Sequence, residues 1–516
     1  MNTFKRKALF AAVVAGLGTI GTAEAVFIAP TRTGQALVYP YYTVQNSGTN
    51  SWNTYISVVN TTPDAKAVKV RILEGRTSAE VLDFNLFLSP NDVWTAAIIP
   101  SDASDTSAGR IITSDASCTA PQIPTDGQPF RNTQYVAQAA GLGRDLARTR
   151  EGYIEIIEMA SLTGATADAV THVNGVPDDC DAVRTNDTSV IVNVDGLPPS
   201  GGLTGTGTLI NVNSGMDAGY KPDALDAFSD SILYTGPGST SPALADATPP
   251  TSVVFNNGYN PGAAGGSIFA TVYRSEFISP FTDLTDGAMA TASVFMHEAV
   301  LNEYVLDTGT ASLTDWVVTQ PIKNFFVSTA TAFPPYSNVL TASGACEVVE
   351  FTYFDREERS ATAGGIDFSP LPPAGPASSI CWESTVLSIR NGADHMPTDD
   401  AISGVLGSRN TTSIHITDTF QNGWASLRFA GVNATPASGI GLVADPVNSQ
   451  AIGVGSDTYP LGAPVVAASA TVFFGLPVTG FMVRTFSNGT LTCATGSCQG
   501  NYASAFDHAY RNLILP

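Results

Sequence analysis

The clearest pattern in the chain is an alternation of apolar and polar residues between Trp52 and Trp94. Within this stretch Val68, Val70 and Ile72 alternate with charged residues, which gives the period of two that is typical of a β-strand. Turn-forming residues such as Asn, Pro, Asp and Gly interrupt the alternation at short intervals. The pattern predicts antiparallel strands that are buried on one face and are spaced as in a β-sandwich.

Similar alternation recurs later in the chain, for example at 152–159 and 314–327. The predicted fold is therefore mainly β, with immunoglobulin-like or jelly-roll β-sandwiches, long loop insertions and few short helices. We expect a first sandwich domain at 26–335, with a loop-rich insertion at about 100–266 where Gly, Pro and Thr are frequent. Residues 336–516 are expected to form a second β-sandwich domain or to continue the first.

The N-terminal segment has the features of a secretory signal peptide. A basic group at residues 5–7 precedes an apolar run, and Ala23 and Ala25 occupy the two positions that a signal peptidase reads. The sequence therefore predicts a signal peptide at 1–25 and an exported protein, located in the periplasm, on the cell surface or outside the cell. No later run reaches about 18 apolar residues, so we expect no transmembrane segment in the mature chain.

The chain is acidic and contains few charged residues. Its formal net charge is −22, and 14% of its residues are charged, against about 25% in an average soluble protein. An acidic surface repels phosphate groups, so nucleic acid is not an expected partner. The expected partners are copies of the chain itself, other cell-surface proteins or glycans.

The cysteines are even in number, which fits the oxidising environment of an exported protein. Of the fifteen connectivities that six cysteines allow, sequential pairing is the simplest. It joins Cys118 to Cys180, Cys346 to Cys381 and Cys493 to Cys498. The last pair is the strongest candidate, because a four-residue turn would place its two cysteines opposite each other on a hairpin.

Three segments give the chain a resemblance to a group of exported, β-rich proteins of proteobacteria. They are 53–62 (NTYISVVNTT), 314–319 (TDWVVT) and 420–425 (FQNGWA). The resemblance spans most of the mature chain and implies a bacterial source. The group is uncharacterised, so the resemblance implies no activity.

Sequence motifs for catalysis are incomplete. His297 and Glu298 begin a pattern like that of zinc proteases, but Leu301 stands where those enzymes have a second histidine. No G-x-S-x-G motif is present, and the Asp-His pairs at 394–395 and 507–508 are where a dispersed catalytic triad would be sought first. We nominate no catalytic residue and no cofactor-binding residue.

Calcium is the ligand that the acidic loops favour, because carboxylates are hard oxygen donors. None of these loops has the spacing of an EF-hand. The candidate metal ligands are Asp178, Asp179, Asp181, Asp283, Asp286, Asp399 and Asp400.

Two further features bear on binding and assembly. The apolar segment 26–28 can add as a strand to the sheet of a neighbouring subunit, although pairing within its own domain is the favoured interpretation. Aromatic clusters at 39–42 and 351–354 can stack on sugars, but aromatic residues at alternate strand positions are more often part of a core.

The main hypothesis is a secreted or cell-surface structural or adhesive protein that assembles with itself through β-strand addition. The first alternative is a secreted hydrolase of polysaccharide or ester substrates, with its site in the region 100–266. The second alternative is a carbohydrate- or calcium-binding surface module. An enzyme is the less favoured class, because no catalytic motif is complete.

Overall fold

A computed structural model gives the architecture of the chain. It describes residues 25–47, 50–136, 141–185, 187–248, 251–256, 269–274, 286–363, 379–392, 401–417, 419–429, 441–443, 450–451, 465–466, 472–493 and 496–515. Apart from Ala25, the predicted signal peptide lies outside the described residues. The described part is mainly β with few short helices, as the alternation pattern predicts.

Two sheets dominate the first half of the chain, and we name them sheet A, with eight strands, and sheet B, with seven. In spatial order, sheet A contains Phe27–Ile28, Asp223–Asp226, Ala36–Thr43, Glu151–Leu162, Ala65–Glu74, Glu80–Leu88 and Thr119–Ala120, and Gly196–Leu197 also pairs with Glu151–Leu162. Sheet B contains Gln128–Pro129, Gly109–Ile112, Val93–Pro100, Asn50–Asn60, Leu203–Asn211 and Met216–Tyr220, and Asn46–Ser47 also pairs with Asn50–Asn60. Val70 of sheet A and Trp94 of sheet B belong to one buried apolar cluster, which we name the first core. The two sheets therefore form a sandwich.

Two five-stranded sheets, named sheet C and sheet D, dominate the second half. Sheet C contains Ser360–Ala363, Glu350–Asp355, Asn422–Arg428, Ala299–Val305 and Ala509–Arg511. Sheet D contains Thr411–Ile416, Ser384–Asn391, Leu313–Thr319, Thr479–Cys493 and Gly496–Asp507. The strands pair antiparallel in both sheets, except that Thr411–Ile416 runs parallel to Ser384–Asn391.

The remaining elements are short. Smaller sheets pair His172–Val173 with Val176–Pro177, Met296–His297 with Leu476–Pro477, and Glu347–Val348 with Ser379–Ile380. Two more join Thr251–Asn256, Phe269–Arg274, Gln450–Ala451 and Val465–Val466, and Gly441–Val443, Val472–Phe474 and Leu513–Leu515. The α-helices are Gly164–Val170 and Asp286–Val294, the 3₁₀ helices are Thr133–Val136, Leu146–Arg150, Cys180–Val183, Leu244–Asp246, Thr308–Thr310 and Lys323–Phe325, and Ile191–Asp195 forms a π-helical turn. Within the part of the chain that the structure covers, no helix is long and apolar enough to cross a membrane.

Sheet A is buried on both faces, so the prediction of strands with one solvated face is wrong there. Lys66 and Lys69 have no exposed surface, and Arg71 is 7% exposed. The second face is covered by later segments of the chain, which include Phe228 and Leu244. Carboxylates balance the buried cations: Lys66 meets Glu158 at 2.7 Å, Lys69 meets Asp83 at 3.1 Å, and Arg71 meets Glu80 at 2.9 Å.

Sheet D joins the two halves of the chain, because both of its faces are apolar. Val317 and Phe481 belong to the same buried cluster as the sandwich of sheets A and B. Their strand neighbours Trp316 and Met482 point the other way, into the cluster that sheet D shares with sheet C. The two halves of the chain therefore share apolar cores.

The strand pairing also bears on the predicted domain organisation. Ala299–Val305 and Leu313–Thr319 precede the predicted boundary near 335, yet they pair with strands that follow it. Within the region predicted as a loop-rich insertion, Glu151–Leu162 lies between Ala36–Thr43 and Ala65–Glu74 at the centre of sheet A. The domain boundary itself stays a prediction.

Two disulfides are described, Cys118–Cys180 and Cys346–Cys381, in agreement with sequential pairing. The Cys493–Cys498 pairing stays a prediction, because these two side chains lie outside the described part.

Candidate functional site

The candidate site is the long hairpin that joins Thr479–Cys493 to Gly496–Asp507 at the edge of sheet D. Its first part, 479–485, also pairs with Leu313–Thr319. A Cβ atom at Gly480 would lie 1.9 Å from the carbonyl oxygen of Val317, so this close approach requires glycine. The hairpin thus has a root that is fixed within sheet D.

His508 anchors this root. Its Nε2 atom lies 2.9 Å from the carbonyl oxygen of Val317, and its Nδ1 atom lies 2.9 Å from the side-chain nitrogen of Asn302. Burial lowers the pKa of His508 to about 4, so the ring is neutral at pH 7, with Nε2 as the donor and Nδ1 as the acceptor. Asp507 forms an ion pair with Arg32. The predicted Asp507–His508 pair therefore holds the fold together at this point.

A second contact ties the root to sheet A. The hydroxyl of Thr479 donates a hydrogen bond to the carboxylate of Asp223, and the hydroxyl of Tyr510 lies 3.4 Å from the carbonyl oxygen of Gly480. Burial raises the pKa of Asp223 to about 6. Nearby, the rings of Tyr220 and Phe481 stack with centroids 4.5 Å apart. The start of the hairpin is thereby packed against both sheets of the first half.

Beyond Thr485 the environment of the hairpin changes. Strand residues 486–493 pair with residues 496–502, and no other described strand pairs with them. We name these two segments the β-arm. Residues 488 and 489 lie opposite the single residue 500, because the register shifts between Ser487 and Thr490. A bulge of this kind bends the strand that carries it and increases its local twist.

The β-arm is free of charge. No charged residue occurs from Thr485 to Phe506, although the whole chain carries a formal charge of −22. Edge strands of natural sheets commonly carry lysine or other charged residues, which prevent pairing with another chain. The β-arm lacks this protection.

Exposed aromatic residues lie at the root end of the β-arm. Tyr502 is 51% exposed and Phe506 is 44% exposed. The guanidinium of Arg484 lies 4.7 Å from the ring centre of Phe506 and forms an ion pair of 3.1 Å with Glu303. The last charged side chain before the uncharged segment is therefore already paired within the chain.

The two aromatic clusters predicted from the sequence have different environments. Tyr39, Tyr41 and Tyr42 are fully buried in the first core, as aromatic residues at strand positions usually are. In the second cluster, Phe354 lies on the outer face of sheet C and stacks on Trp424, with ring centres 4.4 Å apart. The two rings cover each other, which leaves less aromatic surface for a sugar to stack on.

The N-terminal strand is already paired in the described structure. Phe27 and Ile28 lie opposite Asp226 and Leu225 at the edge of sheet A. This strand therefore pairs within the chain, and its addition to the sheet of a neighbouring subunit stays a prediction.

The hairpin turn differs from the predicted one. Cys493 lies opposite Gly496, and Cys498 lies opposite Leu491. The prediction of a four-residue turn with the two cysteines directly opposite each other is therefore wrong. Because Cys493 pairs with Gly496, Cys498 is shifted by two residues along the strand and faces Leu491.

The predicted calcium ligands are only partly described. The side chain of Asp179 accepts a hydrogen bond from the backbone nitrogen of Asp181, and Asp181 pairs with Arg184 at 3.0 Å. Asp178 is exposed, Asp286 begins the helix Asp286–Val294, and Asp283, Asp399 and Asp400 lie outside the described residues. Among the residues the structure describes, no group of three or more His, Cys, Asp or Glu side chains is arranged to hold a metal. Calcium binding stays a prediction.

The His297–Glu298 pair has structural partners. His297 Nδ1 lies 2.6 Å from the side-chain oxygen of Asn512, and its ring stacks on Tyr510 at 4.1 Å. Burial lowers the pKa of His297 to about 4. Glu298 forms a 2.5 Å ion pair with Arg428. The other predicted pair, at 394–395, lies outside the described residues.

The alternation of apolar and polar residues does not identify the β-arm, but the distribution of charge along the chain gives one signal for it. The uncharged run 485–506 stands out in an acidic chain and marks a segment that does not repel its own copies. Comparison of the chain with protein-family models, with curated proteins and with solved structures finds no match.

Proposed function

We propose that the chain is an exported structural protein of the bacterial cell surface, which assembles with copies of itself by pairing of β-arms. The observation that carries the proposal is the edge of the β-arm strand 486–493, which is uncharged and pairs with no second strand among the described residues. A free edge presents a row of N–H and C=O groups that another strand can pair with.

A second copy of the β-arm is the occupant that fits this edge. Two identical edges can pair antiparallel about a two-fold axis, and such an interface is self-complementary. Acidic copies repel each other over most of their surface, so contact is least opposed along the segment 485–506. Tyr502 and Phe506 lie on the other strand of the hairpin, and their exposed rings offer apolar surface near the root end of the β-arm.

The cysteines support the proposed compartment. The disulfides Cys118–Cys180 and Cys346–Cys381 persist in an oxidising environment such as the periplasm or the cell exterior. An export signal of the kind expected at 1–25 leads to those compartments.

The test is a measurement of molar mass in solution. Residues 26–516 are purified with their disulfides intact and analysed by light scattering coupled to size exclusion, over a range of protein concentrations, with and without calcium. We expect dimers or larger assemblies that grow with concentration. A strictly monomeric protein in both conditions contradicts the proposal.

Charged substitutions locate the contact. The double variant Thr490→Lys and Thr492→Lys places two positive charges on each β-arm, so that paired arms repel and the assembly dissociates to monomers. The matched control is Thr185→Lys with Thr329→Lys, which adds the same charge at two exposed positions outside the β-arm. Assembly that survives in the β-arm variant, or is lost equally in the control, rules out pairing through the β-arm.

A further inference from the structure

A cleft of about 250 Å³ lies beside the strand Glu80–Leu88 of sheet A, in the first half of the chain. One wall is formed by residues 80–84, and the opposite walls come from 121–134 and 238–240. The cleft therefore lies where three separate segments of the chain meet. Pockets for drug-sized ligands occupy roughly 300–1,000 Å³, so this cleft is sized for something smaller.

An irregularity in the strand brings two carboxylates to the cleft. Leu82 lies opposite Ile72, but Glu80 lies opposite Leu73, so one extra residue is accommodated between them. Because residues directly opposite each other share a face, Glu80 joins Asp83 on the outer face of sheet A. Both residues line the cleft, and their side chains are 9% and 17% exposed.

Cations behind the wall balance these carboxylates. Arg71 Nε donates to Glu80 at 2.9 Å and the same guanidinium pairs with Glu155. Lys69 donates to Asp83 at 3.1 Å and to the carbonyl oxygen of Ser239 at 2.8 Å. The charges of the wall are thus largely neutralised from within the protein.

The protonation of Glu80 adds a donor to the wall. Burial raises the pKa of Glu80 to about 7; Arg71 opposes this shift and the neighbouring Asp83 adds to it. Near neutral pH the Glu80 carboxyl therefore exists in both forms. A protonated carboxyl donates one hydrogen bond and still accepts others.

The facing walls carry mostly uncharged polar groups, and Arg131 is the one charged residue among them. Gln128 and Gln134 bring amides, and Thr133 and Thr240 bring hydroxyls. Pro121 and Ile123 add apolar surface. Amides and hydroxyls both donate and accept hydrogen bonds, as the hydroxyl groups of a sugar do.

We propose that this cleft binds one ring of a neutral saccharide. Ring hydroxyls donate to the carboxylates of Glu80 and Asp83 and accept from the amides and hydroxyls of the facing walls. Lys69, Arg71 and Arg131 offset the charges of Glu80 and Asp83, so no large excess of either sign favours an ionic ligand over a neutral one. This site is separate from the β-arm and does not depend on assembly.

The test uses glucose, galactose, mannose and N-acetylglucosamine as neutral probes and glucuronate as a charged probe. Binding to the purified chain is followed by isothermal titration calorimetry and by ligand-observed NMR at millimolar sugar concentrations. We expect at least one neutral sugar to bind and glucuronate to bind no more tightly than that sugar. No binding of any neutral sugar, or tighter binding of glucuronate, overturns the proposal.

Two variants locate the binding. Thr240→Trp places a bulky ring at an exposed position of the cleft wall, and it is expected to weaken binding at least 10-fold. Thr329→Trp makes the same change at an exposed position away from the cleft and is expected to leave binding unchanged. The thermal unfolding of both variants shows that they are folded. Binding that is unchanged in Thr240→Trp, or equally weakened in Thr329→Trp, excludes this cleft.

Discussion

The indole nitrogen of Trp52 donates a hydrogen bond of 3.0 Å to the carbonyl oxygen of Val405, a residue 353 positions later in the chain. Both partners are buried in the first core. The loop that carries Val405 is itself held by Asp315, whose carboxylate accepts from the backbone nitrogens of Val405 and Leu406 at 3.0 and 2.9 Å. This contact connects sheet B to sheet D, so the stability of one half depends on the other.

The first prediction concerns this junction. Trp52→Phe removes the indole N–H, so the buried carbonyl oxygen of Val405 loses its donor. The smaller side chain also leaves a cavity. We expect the free energy of unfolding to fall by about 2–3 kcal/mol, measured by urea denaturation. Trp424→Phe, at a residue that is 43% exposed, is the control and should cost less than about 1 kcal/mol. Equal losses in the two variants would show that the junction contributes no more than a surface contact.

The second prediction concerns the disulfide Cys118–Cys180, which closes a sequence separation of 62 residues. Cys118 lies in an apolar cluster with Phe87 and Met159 on the outer side of sheet A. Replacing both cysteines by serine should lower the stability by about 2–4 kcal/mol, because the unfolded chain regains entropy. The measurement is thermal unfolding with and without a reductant. On reduction, the unfolding temperature of the double-serine variant should fall less than that of the native chain. An equal fall in both contradicts the prediction.

The third prediction concerns acid. The pKa of His508 is about 4 in the folded chain, whereas an unfolded histidine has a pKa of about 6.5. Between these values the unfolded state binds more protons, so stability falls as the pH decreases from about 6.5 to 4. His508→Gln cannot bind this proton, so the stability lost between pH 7 and pH 4 should be smaller in the variant by up to about 3 kcal/mol. Urea denaturation of both proteins at pH 7 and pH 4 measures the difference, and parallel pH profiles would count against the assignment.

The fourth prediction concerns Glu80, whose contribution to stability depends on pH in the opposite direction. The pKa of Glu80 is raised to about 7, so the folded state holds this proton more tightly than the unfolded state does. This contribution to stability is present below about pH 4 and is lost as the pH rises to about 7. The groups that face Glu80 are Arg71, Asp83 and Lys69. Glu80→Gln keeps an acceptor for Arg71 and should therefore gain about 2–3 kcal/mol relative to the native chain between pH 4.5 and pH 8. Parallel pH profiles for the variant and the native chain would contradict the raised pKa of Glu80.

Local sequence patterns predict the strands well and their surroundings poorly. The alternation of Val68, Val70 and Ile72 correctly indicates a strand with one apolar face. It also indicates that Lys69 faces solvent, yet this side chain is buried against Asp83 and Ser239. The covering segment lies about 170 residues away, and a local pattern contains no information on it.

The candidate site shows the same limit. A strand ending near Phe486 follows from the alternation, but its free edge depends on where the neighbouring strand Leu313–Thr319 begins. The offset of Cys493 from Cys498 depends on the pairing of Cys493 with Gly496, which the alternation pattern does not specify. The lack of charge from 485 to 506 is the one property of the β-arm that can be read directly from the sequence.

The position of the hairpin in the chain has a consequence for the order of events during synthesis and export. A polypeptide emerges from the ribosome N-terminus first, so Tyr220 is made long before Phe481, the ring on which it stacks. Until the hairpin is made, the first core lacks Phe481 and Val483, and the apolar residues that they cover stay exposed. The same late segment carries the β-arm. A chain that ends before residue 479 therefore lacks both the ring that packs on Tyr220 and the segment through which we propose that copies pair.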